Sequence, residues 1–178
     1  APAADQPPTV ETANAPVRAR HLAPGMRAIS EDEALPDAAA TDRLADRLAR
    51  LAGAGDVIAL SGPLGAGKTR FARGFIAARA RAAGVPAPAE VPSPTFTLAQ
   101  AYDLSIPVLH VDLYRINDAR ELDELGLAPF PDGTLVLIEW PERAGDLLPA
   151  DRIDIAFSHA FGRHAFGPGA SGEADARI

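Results

Sequence analysis

The chain has 178 residues, 47% apolar and 23% charged, the make-up of one globular domain with a core of useful size. It contains no cysteine, which excludes disulfides, thiol catalysis, iron–sulfur clusters and Cys-ligated zinc, and its four histidines show no zinc-ligand spacing. The net charge is −7, and residues 1–30 contribute +1 of it, so the body carries −8 and autonomous nucleic-acid binding is disfavoured. No apolar run approaches the roughly 20 residues needed to span a bilayer, and no signal peptide opens the chain, so a cytoplasmic protein without membrane contact is expected.

Residues 1–34 are rich in Ala and Pro and lack any period of 2 or 3.6; they read as a disordered tail. The body runs from 35 to 168. Asp37 caps a helix reaching about Ala52, with Leu44, Leu48 and Leu51 on its buried stripe. Asp56–Ser61 is a continuous apolar run, hence a buried strand. A glycine-rich turn leads into a helix from Lys68 to about Ala83. Pro92 and Pro94 keep 90–96 out of helix. Residues 97–102 and 108–112 form a hairpin, 118–125 a short helix, and 134–139 another buried strand. Residues 152–158 and a segment near 163–167 read as late strands, possibly a second hairpin, and 169–178 as a C-terminal tail. This order predicts an α/β fold, a P-loop NTPase-like three-layer sandwich. Its central sheet is mostly parallel, with antiparallel edge strands.

Sixteen arginines stand against a single lysine, Lys68, and that lysine lies in Gly62-Pro-Leu-Gly-Ala-Gly-Lys-Thr69. The run fits G-x-x-x-x-G-K-[ST], follows a predicted strand and opens a predicted helix. Phosphates need several N–H donors converging on one concavity, so the backbone must come close; Gly62, Gly65 and Gly67 lack the Cβ that would prevent it. The helix N-terminus favours an anion. Lys68 is placed to reach the β- and γ-phosphates of ATP, and Thr69 to ligate Mg²⁺. Leu64, Ala66 and Arg70 complete the loop.

Magnesium prefers hard oxygen ligands, and two apolar strands end in an acid, Asp112 and Glu139. Spacing alone leaves open which holds the metal and which positions the water. A GTPase is not indicated. Asp123-Glu-Leu-Gly126 matches D-x-x-G on a predicted helix rather than after a strand, and neither Asn14 nor Asn117 lies in a guanine signature. His110, on a buried strand, reads as a hydrogen-bonded core residue.

Five segments occur in order: Leu64-Gly-Ala-Gly-Lys-Thr69, Ser93-Pro-Thr-Phe-Thr-Leu98, His110-Val-Asp-Leu-Tyr-Arg115, Glu121-Leu-x-x-Leu-Gly126 and Ile138-Glu-Trp-Pro141. Over about residues 35–160 the chain resembles the TsaE (YjeE) family of ATPases. The resemblance implies ATP binding and hydrolysis that help TsaD and TsaB form N6-threonylcarbamoyladenosine at position 37 of tRNA, with tRNA contacted only through those partners. It implies Thr69 and Glu139 as magnesium ligands, and Asp112 as a metal-side carboxylate or water-positioning base. Ser93, Thr95 and Phe96 match a switch-like loop over the γ-phosphate. Trp140 matches the tryptophan after the glutamate, and Thr41 matches a threonine near the adenine; Tyr114 and Arg115 either pack and pair locally or face the partner. Pro63 and Arg70 depart from the family pattern, and so do the ends of the chain. Two other readings use the same loop: a small-molecule kinase, and a non-catalytic nucleotide-gated assembly factor.

Overall fold

A computed structural model describes residues 13–20, 30–88 and 90–159. Among the described residues, eight strands form one sheet: β1 (Ala13–Arg20), β2 (Ser30–Leu35), β3 (Val57–Ser61), β4 (Ala99–Tyr102), β5 (Val108–Asp112), β6 (Leu135–Glu139), β7 (Arg152–Ala156) and β8 (Ser158–His159). Their order is β2-β1-β7-β3-β6-β5-β4, with β8 paired to β1. The pairings β7–β3, β3–β6 and β6–β5 are parallel, whereas β4–β5, β1–β7, β1–β2 and β1–β8 are antiparallel.

The helices are α1 (Ala38–Leu51), α2 (Lys68–Ala82) and the short α3 (Arg120–Glu124), followed by a 3₁₀ segment at Pro141–Leu147. Asp37 caps α1 by accepting from the Ala40 amide at 2.7 Å. Arg79 of α2 donates to the Ala49 and Ala52 carbonyls and so closes the other end of α1.

Alternate residues of the parallel strands point to opposite faces of the sheet. Ile58, Leu60, Leu135, Leu137 and Ile155 pack with Leu44, Phe71, Phe75 and Ile76 of α1 and α2. Val57, Val111, Val136 and Ile138 pack with Leu122 of α3 and Ala144 of the 3₁₀ segment. Both faces are covered, which explains why these strands read as unbroken apolar runs and makes the fold a three-layer sandwich. Phe71 and Phe75 are fully buried; each contributes about 1.5–3 kcal/mol by leaving water.

One expectation is corrected. Residues 13–20 and 30–34 were expected in a disordered tail but lie in strands, and β1 extends the sheet beyond β7. Backbone pairing of this kind leaves no hydrophobic period to read. Pro16 falls between the pairings of β1 with β8 (13–14) and with β7 (17–20), where its missing N–H costs no bond to either strand. The expected late strand at 152–158 is present as β7, a parallel neighbour of β3. The proposed hairpin partner near 163–167, the boundary at 168 and the tail 169–178 lie outside the described residues.

Candidate functional site

Three parallel strands end side by side. In register, Asp112 at the end of β5 pairs with Glu139 at the end of β6, and Glu139 pairs with Leu60, just before the glycine loop. The carboxyl ends of adjacent parallel strands thus place two acids beside one anion-binding turn, the position where open α/β sheets hold ligands.

The loop's shape is imposed by glycine. Gly62 has φ +129°, and a Cβ there would lie 2.3 Å from the Phe157 carbonyl oxygen. Gly67, at φ +108°, is the left-handed N-cap of α2 and supplies no side-chain cap, so the first amides of α2 stay open to an outside acceptor. The Lys68 ammonium donates to the carbonyls of Gly62 (2.6 Å) and Pro63 (2.8 Å) and lies 3.9 Å from the Trp140 ring centroid. Burial pushes Lys68 below the ordinary lysine value, while the charges of Glu139, Glu142 and Asp112 pull it back up.

Glu139 is 2% exposed. Its Oε2 accepts from the Thr69 hydroxyl at 2.8 Å, and its Oε1 meets His110 Nε2 at 2.8 Å. Because a carboxylate only accepts, Nε2 carries the proton. His110 Nδ1 lies buried with no hydrogen-bond partner among the described residues.

Asp112 is also buried, at 3% exposure, but a loop holds it. Its Oδ2 accepts from Ser93 (3.0 Å) and Thr95 (2.7 Å), and its Oδ1 from the Tyr114 amide (2.9 Å). The loop turns back at Leu98, which has φ +63° and whose amide donates to the Pro94 carbonyl. Arg73 of α2 steadies its start by donating to the Val91 carbonyl at 2.6 Å.

These groups line a cleft of about 290 Å³ bounded by Leu64, Gly65, Gly67, Lys68, Thr69, Arg70, Ser93, Thr95, Asp112, Tyr114, Glu139 and Trp140. Every one of them was singled out in the sequence. The remaining candidates lie elsewhere. Gly62 and Ala66 shape the loop from behind, with Ala66 in the core. Thr41 is buried on α1 and does not line the cleft. Phe96 is 85% exposed, and the Arg115 guanidinium carbon lies 5.7 Å from its ring centroid. Trp140 adopts φ +58°, packs on Tyr114 at 5.1 Å between centroids, and thereby brings its ring to Lys68.

Sequence reasoning missed two contributors. His110 was read as core, and its partner is the site's own carboxylate; a polar residue at an apolar strand position was the available signal. Phe157, whose carbonyl enforces glycine at 62, gave no signal.

The donor set fits a hard divalent cation. Thr69 and Glu139 converge from α2 and β6, with Asp112 alongside, and all their donor atoms are oxygens. Among the described residues no cluster of three or more His, Cys, Asp or Glu side chains could hold a metal. Mg²⁺ itself takes one or two carboxylates and otherwise phosphate and water.

Fold and loop together define a P-loop-type α/β protein. The family model for "Threonylcarbamoyl adenosine biosynthesis protein TsaE" matches residues 35–165. The chain is 39% identical over 122 residues to the tRNA threonylcarbamoyladenosine biosynthesis protein TsaE of Bacillus subtilis, covering 67% of this chain and 72% of that protein. It is 38% identical over 131 residues to the Mycobacterium tuberculosis protein of the same name, covering 68% and 74%. The crystal structure of Bacillus subtilis YdiB superposes with a TM-score of 0.52 at 32% identity, covering 70% of this chain and 74% of that one. The chain belongs to the TsaE family.

Proposed function

We propose that this protein is a magnesium-dependent ATPase that supports threonylcarbamoylation of adenosine 37 in tRNA by TsaD and TsaB. The contact between Thr69 of the glycine loop and Glu139 at the end of β6 carries the reading, because it joins a phosphate cradle to a hard-oxygen metal corner. The loop amides and Lys68 would hold the β- and γ-phosphates, with one ammonium proton left after its two carbonyl bonds. Thr69 and Glu139 would hold Mg²⁺, which supplies charge neutralisation on the phosphate oxygens. His110, bonded to Oε1, holds the Glu139 carboxylate in position. Asp112 is the group placed to orient the attacking water, and its Oδ2 becomes free to accept a proton when the hydroxyls of Ser93 and Thr95 let go.

Partner activation follows from that engagement. With both Asp112 oxygens occupied, turnover by the isolated chain is slow. A partner gripping the exposed Phe96 would shift the loop and release the carboxylate. The test is ATP turnover by the purified chain, alone and with its cognate TsaD and TsaB. A clear rise with the pair is expected, and Glu139→Ala and Asp112→Ala each abolish it. Equal turnover with and without the partners overturns the reading, and phosphate transfer to a metabolite in their absence replaces it with a kinase.

A further inference from the structure

The charges of this chain are segregated by the sheet. Apart from Lys68, which is buried in the nucleotide cleft, α1 and α2 together carry seven arginines against Asp42 and Asp46, a net of +5. The segments covering the opposite face, 118–132 and 141–147, carry seven acids against Arg120 and Arg143, a net of −5. The overall −7 therefore describes neither face.

The basic face is accessible. Arg43, Arg47 and Arg50 are exposed on α1, and Arg70, Arg73 and Arg81 on α2. Arg73 and Arg79 donate to backbone carbonyls, which leaves their charge uncancelled. Arg50 and Arg81 share Asp46, Arg70 takes Asp42, and Arg47 takes Glu33 of β2. Exposed pairs of this kind are weak and exchange readily for a stronger anion. Between the helices runs a groove of about 320 Å³ lined by Asp42, Arg70, Arg73, Gly74, Ala77 and Arg81. Gly74 allows the helices to approach, since a Cβ there would lie 3.1 Å from that of Ala45. Arg70 lines both this groove and the nucleotide cleft.

We propose that the outer face of α1 and α2 is a contact surface for the phosphate backbone of RNA. Arginine forks match phosphate oxygens two at a time. From Arg70 to Arg81 the basic edge of α2 extends roughly 16 Å at 1.5 Å per residue, enough for several phosphates. The acidic opposite face is repelled by the same backbone, so the field of the whole molecule presents α1 and α2 to it. The choice of RNA among polyanions rests on the function proposed above.

The experiment is fluorescence anisotropy of a labelled, unmodified tRNA transcript titrated with the full chain between about 50 and 200 mM salt, where phosphate neutralisation registers most steeply. Wild type is expected to bind at the lower salt and to weaken as salt rises. Arg43→Glu/Arg50→Glu/Arg81→Glu should weaken binding at least about tenfold and flatten the log–log salt slope by about 2, since each phosphate no longer neutralised removes roughly 0.7–0.9 from it. The Arg→Gln version of the same triple, which avoids new repulsion with Asp46, should lose less in the same direction. Asp123→Asn/Glu124→Gln on the acidic face should change affinity less than about twofold, because the local field governs binding rather than net charge. Failure of wild type to bind, or wild-type affinity in a triple variant whose circular dichroism is unchanged, overturns the proposal. So does competition by polyglutamate as effective as by tRNA, which would assign the face to an acidic protein. ATP turnover with the partners is read on the same samples. Weakened tRNA affinity with unchanged turnover supports the face. Intact tRNA binding in a chain that hydrolyses no ATP sinks the ATPase reading and leaves this one standing.

Discussion

Glu139 and Asp112 stand side by side at the ends of adjacent strands, are almost equally buried, and are held in opposite ways. Glu139 is gripped by regular structure, Thr69 on α2 and His110 on β5. Asp112 is gripped by Ser93 and Thr95, on the loop that follows Pro92, and by the amide of Tyr114 just beyond its own strand. Partners on packed elements move only when the core moves, whereas a loop opens locally at far lower cost. Of two similar acids, one is therefore a fixture and the other can be released. That difference suits a metal ligand and a gated base respectively.

The comparison can be broken most sharply at the acids themselves. Glu139→Gln and Asp112→Asn should each lower partner-stimulated turnover about 10²–10³-fold, the scale of removing one preorganised charged group. Only Glu139→Gln should also weaken Mg²⁺-dependent nucleotide binding, read from the fluorescence of Trp140, the single tryptophan. Equal metal dependence in the two variants would erase the distinction.

Lys68→Met should weaken ATP binding about 10- to 100-fold, as expected for a charge-assisted hydrogen bond. It should not destabilise the fold. Burial holds Lys68 below the ordinary lysine value of 10.5, so between its native value and 10.5 the unfolded chain binds more protons than the native one. Stability accordingly rises with pH through that window. Urea midpoints at alkaline pH should show this rise in the wild type and not in Lys68→Met, and ATP affinity of the wild type should fall across the same window.

His110→Leu should cost about tenfold in turnover and metal affinity, the usual penalty for removing a group that orients a ligand. His110→Gln, which retains an N–H donor, should recover part of it. Equal loss in both would make His110 a packing residue only. The smallest effect belongs to the loop. Ser93→Ala removes one of the two hydroxyls on Asp112 Oδ2 and should raise unstimulated turnover about two- to fivefold, the worth of one hydrogen bond. The stimulated rate should stay nearly constant.

Much of this site was legible in the residues. Gly62, Gly65, Gly67, Lys68 and Thr69 declare a phosphate loop because only that backbone shape requires those glycines, and strand ends at Asp112 and Glu139 are marked by the acid closing an apolar run. Helix α1 announced itself through Asp37 and the leucine stripe. Thr41, suggested by resemblance as an adenine contact, is buried on α1 and is not among the residues lining the cleft. Residues 13–20, without a hydrophobic period, gave no sign of the strand they form, because backbone pairing is indifferent to side-chain identity.

The sequence by itself therefore determined the anion-binding loop, the two acids and the α/β order, all of which follow from local chemistry and periodicity. Tertiary structure decided what depends on residues far apart in the chain. It set His110 against Glu139 and Ser93 and Thr95 against Asp112. It placed the Phe157 carbonyl behind Gly62. It also sorted the charges, gathering arginines on α1 and α2 and acids on the opposite face, so that a chain of net charge −7 presents a basic surface. Net charge is a sum over the chain, whereas a ligand responds to the field of the face it meets.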